Sequence, residues 1–174
     1  DVDKNDKITS EDRTILGSIV PKWTGSMTNT LSYKGFDFTV FLYARYGQMI
    51  QSSSDRLTLD TRTNSLDVNF WTPTNPSNEY PRPDRNEQKP PYVNILTYED
   101  GSFVKLKNMT LGYVLPSSLT RRIMLQRCRL YMTVEDPFVF TDYTGLDPEN
   151  GSSRNGETTT PSTKRVLFGL NITF

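Results

Sequence analysis

Along the last eleven residues, Lys164 to Phe174, the apolar side chains Val166, Phe168, Leu170, Ile172 and Phe174 fall on every second position, with Arg165, Leu167, Gly169, Asn171 and Thr173 between them. Side chains on a β-strand point alternately to two faces, so period two marks a strand with one apolar side; a helix would scatter these residues around its circumference. At ~3.3 Å per residue the strand reaches roughly 36 Å, and tilted by ~40° it still spans the ~25 Å apolar band of a transmembrane barrel. A soluble sandwich strand is about half as long. The same alternation predicts strands over residues 23–34, 36–47, 103–115 and 127–140, besides 164–174. In the first, Trp23, Gly25, Met27, Asn29, Leu31 and Tyr33 oppose a face of Thr and Ser; in the second, Phe36, Phe38, Val40, Leu42, Ala44 and Tyr46 oppose Asp37, Thr39, Phe41, Tyr43 and Arg45. Aromatics at both ends of an apolar face suit two interfacial girdles.

Between the strands the alternation stops. Lys34-Gly35 is a two-residue hairpin turn, residues 48–102 are rich in Asn, Ser, Asp and Pro, Pro116-Ser-Ser-Leu-Thr120 is a short turn begun by Pro, and residues 141–163 are polar again. Connections therefore run short, long, short, long. Transmembrane barrels have short periplasmic turns and long external loops, which assigns the C-terminus to the periplasm and residues 1–22, 48–102 and 141–163 to the outside. Five tilted strands cannot close a barrel and open edges are not tolerated in lipid, so the remaining strands are expected from residues beyond this chain. The start at Asp1, with no leader pattern, agrees with a piece of a longer protein.

Composition narrows the class. Only 34% of the 174 residues are hydrophobic and mean hydropathy is −0.58, a thin core for a soluble protein but ordinary for a barrel in which alternate residues face lipid. Twenty basic residues balance 20 acidic ones, which gives no reason to expect a nucleic-acid partner. With no His and Cys128 alone, a zinc site, a Cys-His nucleophile pair and an intrachain disulfide are excluded. Paired acids such as Glu11/Asp12 and Glu135/Asp136 are candidates for acid-base work on a glycoside, but adjacent residues on a strand point to opposite faces, and no enzyme is expected.

Residues 1–12, Asp-Val-Asp-Lys-Asn-Asp-Lys-Ile-Thr-Ser-Glu-Asp, match the twelve-residue calcium loop of EF-hand and dockerin type. Asp1, Asp3 and Asn5 supply side-chain oxygens, Lys7 its carbonyl, Thr9 the position often filled through water, and Asp12 the closing carboxylate. Asp6 stands where the pattern has Gly and Asp12 where it has Glu; Asp tolerates the left-handed turn better than most residues. A calcium ion bound here is expected to have a structural role.

The chain resembles the SusC/RagA family of TonB-dependent outer-membrane transporters. The resemblance is carried by Asp1 to Gly17, Leu31 to Phe38, Trp71-Thr-Pro-Thr-Asn-Pro76 with Tyr80-Pro-Arg82, Tyr98 to Tyr113, Gly145-Leu-Asp-Pro-Glu149 and Phe168 to Phe174. It covers nearly the whole chain, and residues 99–113 are its most specific block. Glu135-Asp136-Pro137 departs from the neutral, Asn-containing stretch of relatives. The resemblance implies an all-β antiparallel transmembrane barrel of 22 strands, of which this chain supplies the last five. It implies a plug and a TonB-contacting segment upstream, a SusD-like surface lipoprotein as lid, and import of glycan oligosaccharides or peptides across the outer-membrane lipid. The alternating residues Val166, Phe168, Leu170, Ile172 and Phe174 resemble the C-terminal signal read by barrel-assembly machinery. Trp71, Tyr80, Tyr92 and Tyr143 are candidates to stack on sugar rings. The competing reading is a soluble calcium-binding β-domain that adheres to glycans.

Overall fold

The computed structural model describes residues 2, 4–7, 9–51, 68–82, 93–150 and 162–174. Five long strands form one antiparallel sheet in the order β1 (Trp23–Tyr33), β2 (Phe36–Tyr46), β5 (Phe103–Val114), β6 (Arg127–Thr141) and β7 (Arg165–Thr173). Each strand neighbours the next long one in sequence. All short connections lie at one end of the sheet and all long ones at the other; these are called the turn end and the loop end below.

Register turns the alternation of single strands into two continuous faces. Met27 pairs with Leu42, Leu31 with Phe38, Phe38 with Leu111, Leu111 with Met132 and Met132 with Phe168, so one apolar band crosses all five strands. Nothing among the described residues covers it. Phe168 is 80% exposed, Leu170 52% and Ile172 41%. Among the described residues only Ile50, Phe103 and Cys128 are buried hydrophobics. A water-soluble domain of this size would bury most of its large apolar side chains. The competing soluble reading requires a larger core than these three side chains, the only buried hydrophobics among the described residues.

The opposite face is polar and cross-linked. Thr30 meets Thr39 at 3.1 Å and Thr110 meets Thr133 at 2.8 Å. Arg129 on β6 reaches across β5 to Asp37 on β2, with Nε donating to Oδ1 at 2.9 Å and Nη2 to Oδ2. Gly112 on β5 makes this span possible, because a Cβ there would fall within 2.6 Å of the guanidinium. Gly112→Val is therefore expected to push Arg129 off Asp37 and destabilise the folded protein by about 1–3 kcal/mol. Urea unfolding of the detergent-solubilised protein tests this, and an unchanged midpoint would refute it.

Local chemistry explains the connections. At the first hairpin Lys34 has φ 46° and Gly35 φ 88°, the doubly left-handed turn whose twist matches the strands it joins. Between β5 and β6, Pro116 opens a helical turn over Ser117–Thr120 and a 3-10 turn over Arg121–Ile123, which ends at left-handed Met124. Within the long connection, Met49–Gln51 (β3) pairs with Tyr98–Asp100 (β4). This stem was not expected from sequence, since three residues are too few to display a period.

One expectation fails at a bulge. In β5/β6 the register passes from Leu106↔Phe138 to Asn108↔Glu135, leaving Lys107 opposite Asp136 and Pro137, with Asp136 at φ 48°. A bulge resets the alternation, and Pro inside a strand is at home there. Glu135 and Asp136 thus share the polar face, where alternation had separated them: Glu135 meets Arg165 at 3.0 Å, and Asp136 meets Lys105 at 3.5 Å and Lys107 at 3.6 Å.

Candidate functional site

At the loop end, the polar face grips the connection between β6 and β7. Lys105 points from β5 into a site where it is 1% exposed, and its Nζ meets Asp147 Oδ2 at 2.8 Å and Glu149 Oε2 at 2.9 Å. Lys107 Nζ bonds both Glu149 oxygens, at 3.0 and 2.9 Å. With Asp136 at the bulge, two ammonium groups face three carboxylates. Asp147 is itself 1% exposed, and its Oδ1 accepts from the Glu149 backbone N–H at 2.9 Å. Burial pushes the Asp147 carboxyl up, but hydrogen bonds from Lys105, Ser162 and the Glu149 amide outweigh it and hold it below the usual range. Glu149 behaves alike: burial raises it, and Lys105 with Lys107 bring it lower still.

Further hydrogen bonds extend the grip to both long loops. Arg45 Nη1 donates to the Glu149 carbonyl at 3.3 Å, and Gln48 Nε2 donates to the carbonyls of Gly101 at 2.9 Å and Pro148 at 3.4 Å. Thr144 donates its N–H and hydroxyl to Glu99, and Thr141 Oγ1 donates to the Ser102 carbonyl at 2.8 Å. The result is a fixed rim: the bases of residues 48–102 and 141–163 are bound to each other and to the sheet. Asp136, Asp147 and Glu149 are engaged by cations and Glu99 by Thr144, so the rim is built to hold loops in place. The sequence alone assigns no role to Gly145-Leu-Asp-Pro-Glu149. The available signal was two Lys at i, i+2 on one strand face and two acids at the same spacing in a loop.

The aromatic candidates separate. Trp71 N–H donates to the Tyr80 carbonyl at 3.0 Å, so these two come together; Trp71 is 37% exposed. Beside them lies an open cavity of about 350 Å³ lined by Val68, Asn69, Phe70, Thr72 and Asn75, of which sequence analysis singles out none as a binding residue. The Tyr143 ring packs over Gly145 of its own loop. Tyr92 lies outside the described residues.

In the N-terminal loop Asp1 and Asp3 lie outside the described residues, while Asn5, Lys7, Thr9 and Asp12 lie within them. Asp6 adopts φ 61°, the left-handed conformation the calcium pattern needs at that place. Asn5 Oδ1 accepts the Lys7 N–H at 2.8 Å, and Asp12 folds back so that Oδ1 accepts the Val2 N–H at 2.7 Å and Oδ2 the Thr9 N–H at 2.6 Å. Both Asp12 oxygens are thus engaged by backbone N–H groups of their own loop. Among the described residues no group of three or more His, Cys, Asp or Glu side chains is arranged to hold a metal ion.

No family model matches the chain. Individual proteins do. TonB-dependent receptor P3 of Formosa agariphila is 34% identical over 100% of this chain and 18% of its own length. TonB-dependent receptor SusC of Bacteroides thetaiotaomicron is 28% identical over 98% of this chain and 17% of its own. The solved structure of the RagAB peptide importer in the open-open state superposes with a TM-score of 0.75 at 25% identity, covering 98% of this chain and 20% of that one. The chain belongs to the SusC/RagA-type TonB-dependent transporters. Proteins of this type reside in the outer membrane, and the relatives are receptors and transporters, not enzymes. The chain spans about a fifth of the length of these relatives. For a SusC/RagA-type sheet the uncovered band is the expected lipid face, and Val166, Phe168, Leu170 and Ile172 lie on it, with Phe174 82% exposed beyond the strand end.

Proposed function

We propose that this chain forms part of the wall and outer rim of a barrel that imports oligomeric nutrients, glycan oligosaccharides or peptides, across the outer membrane under TonB drive. The supporting observation is the uncovered apolar band on five consecutive strands of a chain that aligns end to end with TonB-dependent receptors. The two edge strands each lack a second neighbour among the described residues, which lipid does not tolerate. Further strands of the same protein, 22 in all, close the barrel around a plug. The turn end faces the periplasm and the loop end faces out, where the fixed rim of Lys105, Asp147 and Glu149 supports the loops beneath a SusD-like lipoprotein lid. Peptide cargo has support from RagAB, whose structure is that of a peptide importer. Trp71 with Tyr80, and the neighbouring Asn69 and Asn75, are the surfaces offered to cargo.

Deleting the full-length gene and growing cells on defined oligosaccharide or peptide pools tests the reading. Growth should fail on one class of oligomer and persist on its monomers. Unchanged growth on every oligomer would remove the import reading.

Asp1, Asp3, Asn5, the Lys7 carbonyl, Thr9 through water and Asp12 would hold calcium, which stiffens the loop before β1. Terbium luminescence of the full-length protein should show a site whose affinity falls roughly tenfold or more in Asp12→Ala. Equal binding by that variant would place any bound ion elsewhere.

A further inference from the structure

The turn between β5 and β6 carries two features that the transport reading leaves unused. Leu119, Ile123 and Met124 are 50%, 58% and 88% exposed, although the turn is firmly built: Leu125 N–H donates to the Thr120 carbonyl at 3.0 Å and Gln126 N–H to the Thr173 carbonyl at 2.9 Å. Beside them stand Arg121 and Arg122, both exposed, with no ion pair among the described residues. The surrounding sequence contains no Asp or Glu between Asp100 and Glu135. At this end of the sheet Asp37 is taken by Arg129. The neighbouring turn repeats the theme, with Lys34 Nζ lying 5.2 Å over the ring of Tyr33.

We propose that this turn is a seat for anionic phospholipid headgroups, with Arg121 and Arg122 on the phosphates and Ile123 and Met124 entering the acyl boundary. Guanidinium groups match phosphate oxygens two at a time, and an ammonium-bearing headgroup would find no carboxylate on the turn to meet it. Lipid fits better than a soluble partner because the bare apolar tips sit at the end of the uncovered apolar band, where hydrocarbon begins. The turn lies in mid-sheet, joining β5 and β6, so the missing strands that complete the edges do not cover it.

The inference rests on membrane embedding alone, not on cargo. Full-length protein in detergent is titrated with phosphatidylglycerol or phosphatidylcholine and lipid adducts are counted by native mass spectrometry. The wild type should prefer phosphatidylglycerol, and R121Q/R122Q should lower that affinity on the order of tenfold, whereas R121K/R122K should retain most of it. Equal retention of both lipids by the wild type, or an unaltered preference in R121Q/R122Q, overturns the proposal while leaving import intact. A photoreactive residue at Met124, in a background with both arginines, gives a second readout should the double variant fold poorly. Crosslinks to lipid support the seat; crosslinks to protein alone overturn it.

Discussion

Lys105→Met is expected to release residues 142–150 from the wall of the sheet while leaving the five-stranded register intact. The substitution keeps an unbranched side chain one atom shorter but removes the cation from a site where Asp147 is 1% exposed. Breaking one side of a buried ion pair costs about 3–5 kcal/mol, much more than the pair itself contributes, because the other charge is left stranded. Lys107→Met should cost less, since that side chain is 28% exposed and shares Glu149 with Lys105. Hydrogen exchange of the full-length protein in nanodiscs would show the loss of protection within residues 142–150. Adding Asp147→Asn to Lys105→Met should restore part of it, because the stranded charge is gone. Unaltered protection in Lys105→Met would mean that the hydrogen bonds from Gln48 and Thr144 hold the rim by themselves.

The same cluster sets a pH dependence with a definite sign. Asp147 and Glu149 have carboxyl groups held below their ordinary range when the loop is docked. Their contribution is therefore complete above the unfolded carboxylate values of about 4 and is lost as pH falls through the lower docked values. A nitroxide on Leu146→Cys, in a Cys128→Ser background, should be immobile near neutrality and gain mobility only below about pH 4. Release beginning near pH 6 would point to a different titrating group.

What the sequence made legible follows from the range of each interaction. β7 and β1 announced themselves because one uncovered face imposes period two on every residue in turn. The tight turn at Lys34-Gly35 was equally local. The bulge at Asp136-Pro137 interrupts that period by a single residue, and the Pro in mid-strand was the only advance sign. The rim was invisible for another reason: Lys105 finds Asp147 and Glu149 at separations of 42 and 44 residues, and nothing in a charge count says which of many acids a lysine will meet. The span from Arg129 to Asp37 covers 92 residues and needed Gly112 between them, which sequence alone presents as just another glycine.

Phe168→Arg should be the most damaging substitution on β7, and Leu167→Arg, one residue away, nearly silent. Phe168 pairs with Met132 on the apolar band, near the middle of its strand, whereas Leu167 pairs with Thr133 on the polar face. An arginine facing the middle of the bilayer costs about 2–4 kcal/mol, falling toward zero near either interface. On the polar face the same side chain meets water and hydroxyl groups, and a change within about 0.5 kcal/mol is expected. Comparing urea midpoints of the two variants in vesicles cancels what both share, namely the added charge and the loss of an apolar side chain. A difference of several kcal/mol in the stated direction requires hydrocarbon on the Phe168 side. If the two were equally stable, or Leu167→Arg the worse, the band would face protein instead. Moving the arginine along the face separates these causes further, since Ile172→Arg, nearer the turn end, should be milder if lipid depth governs the effect.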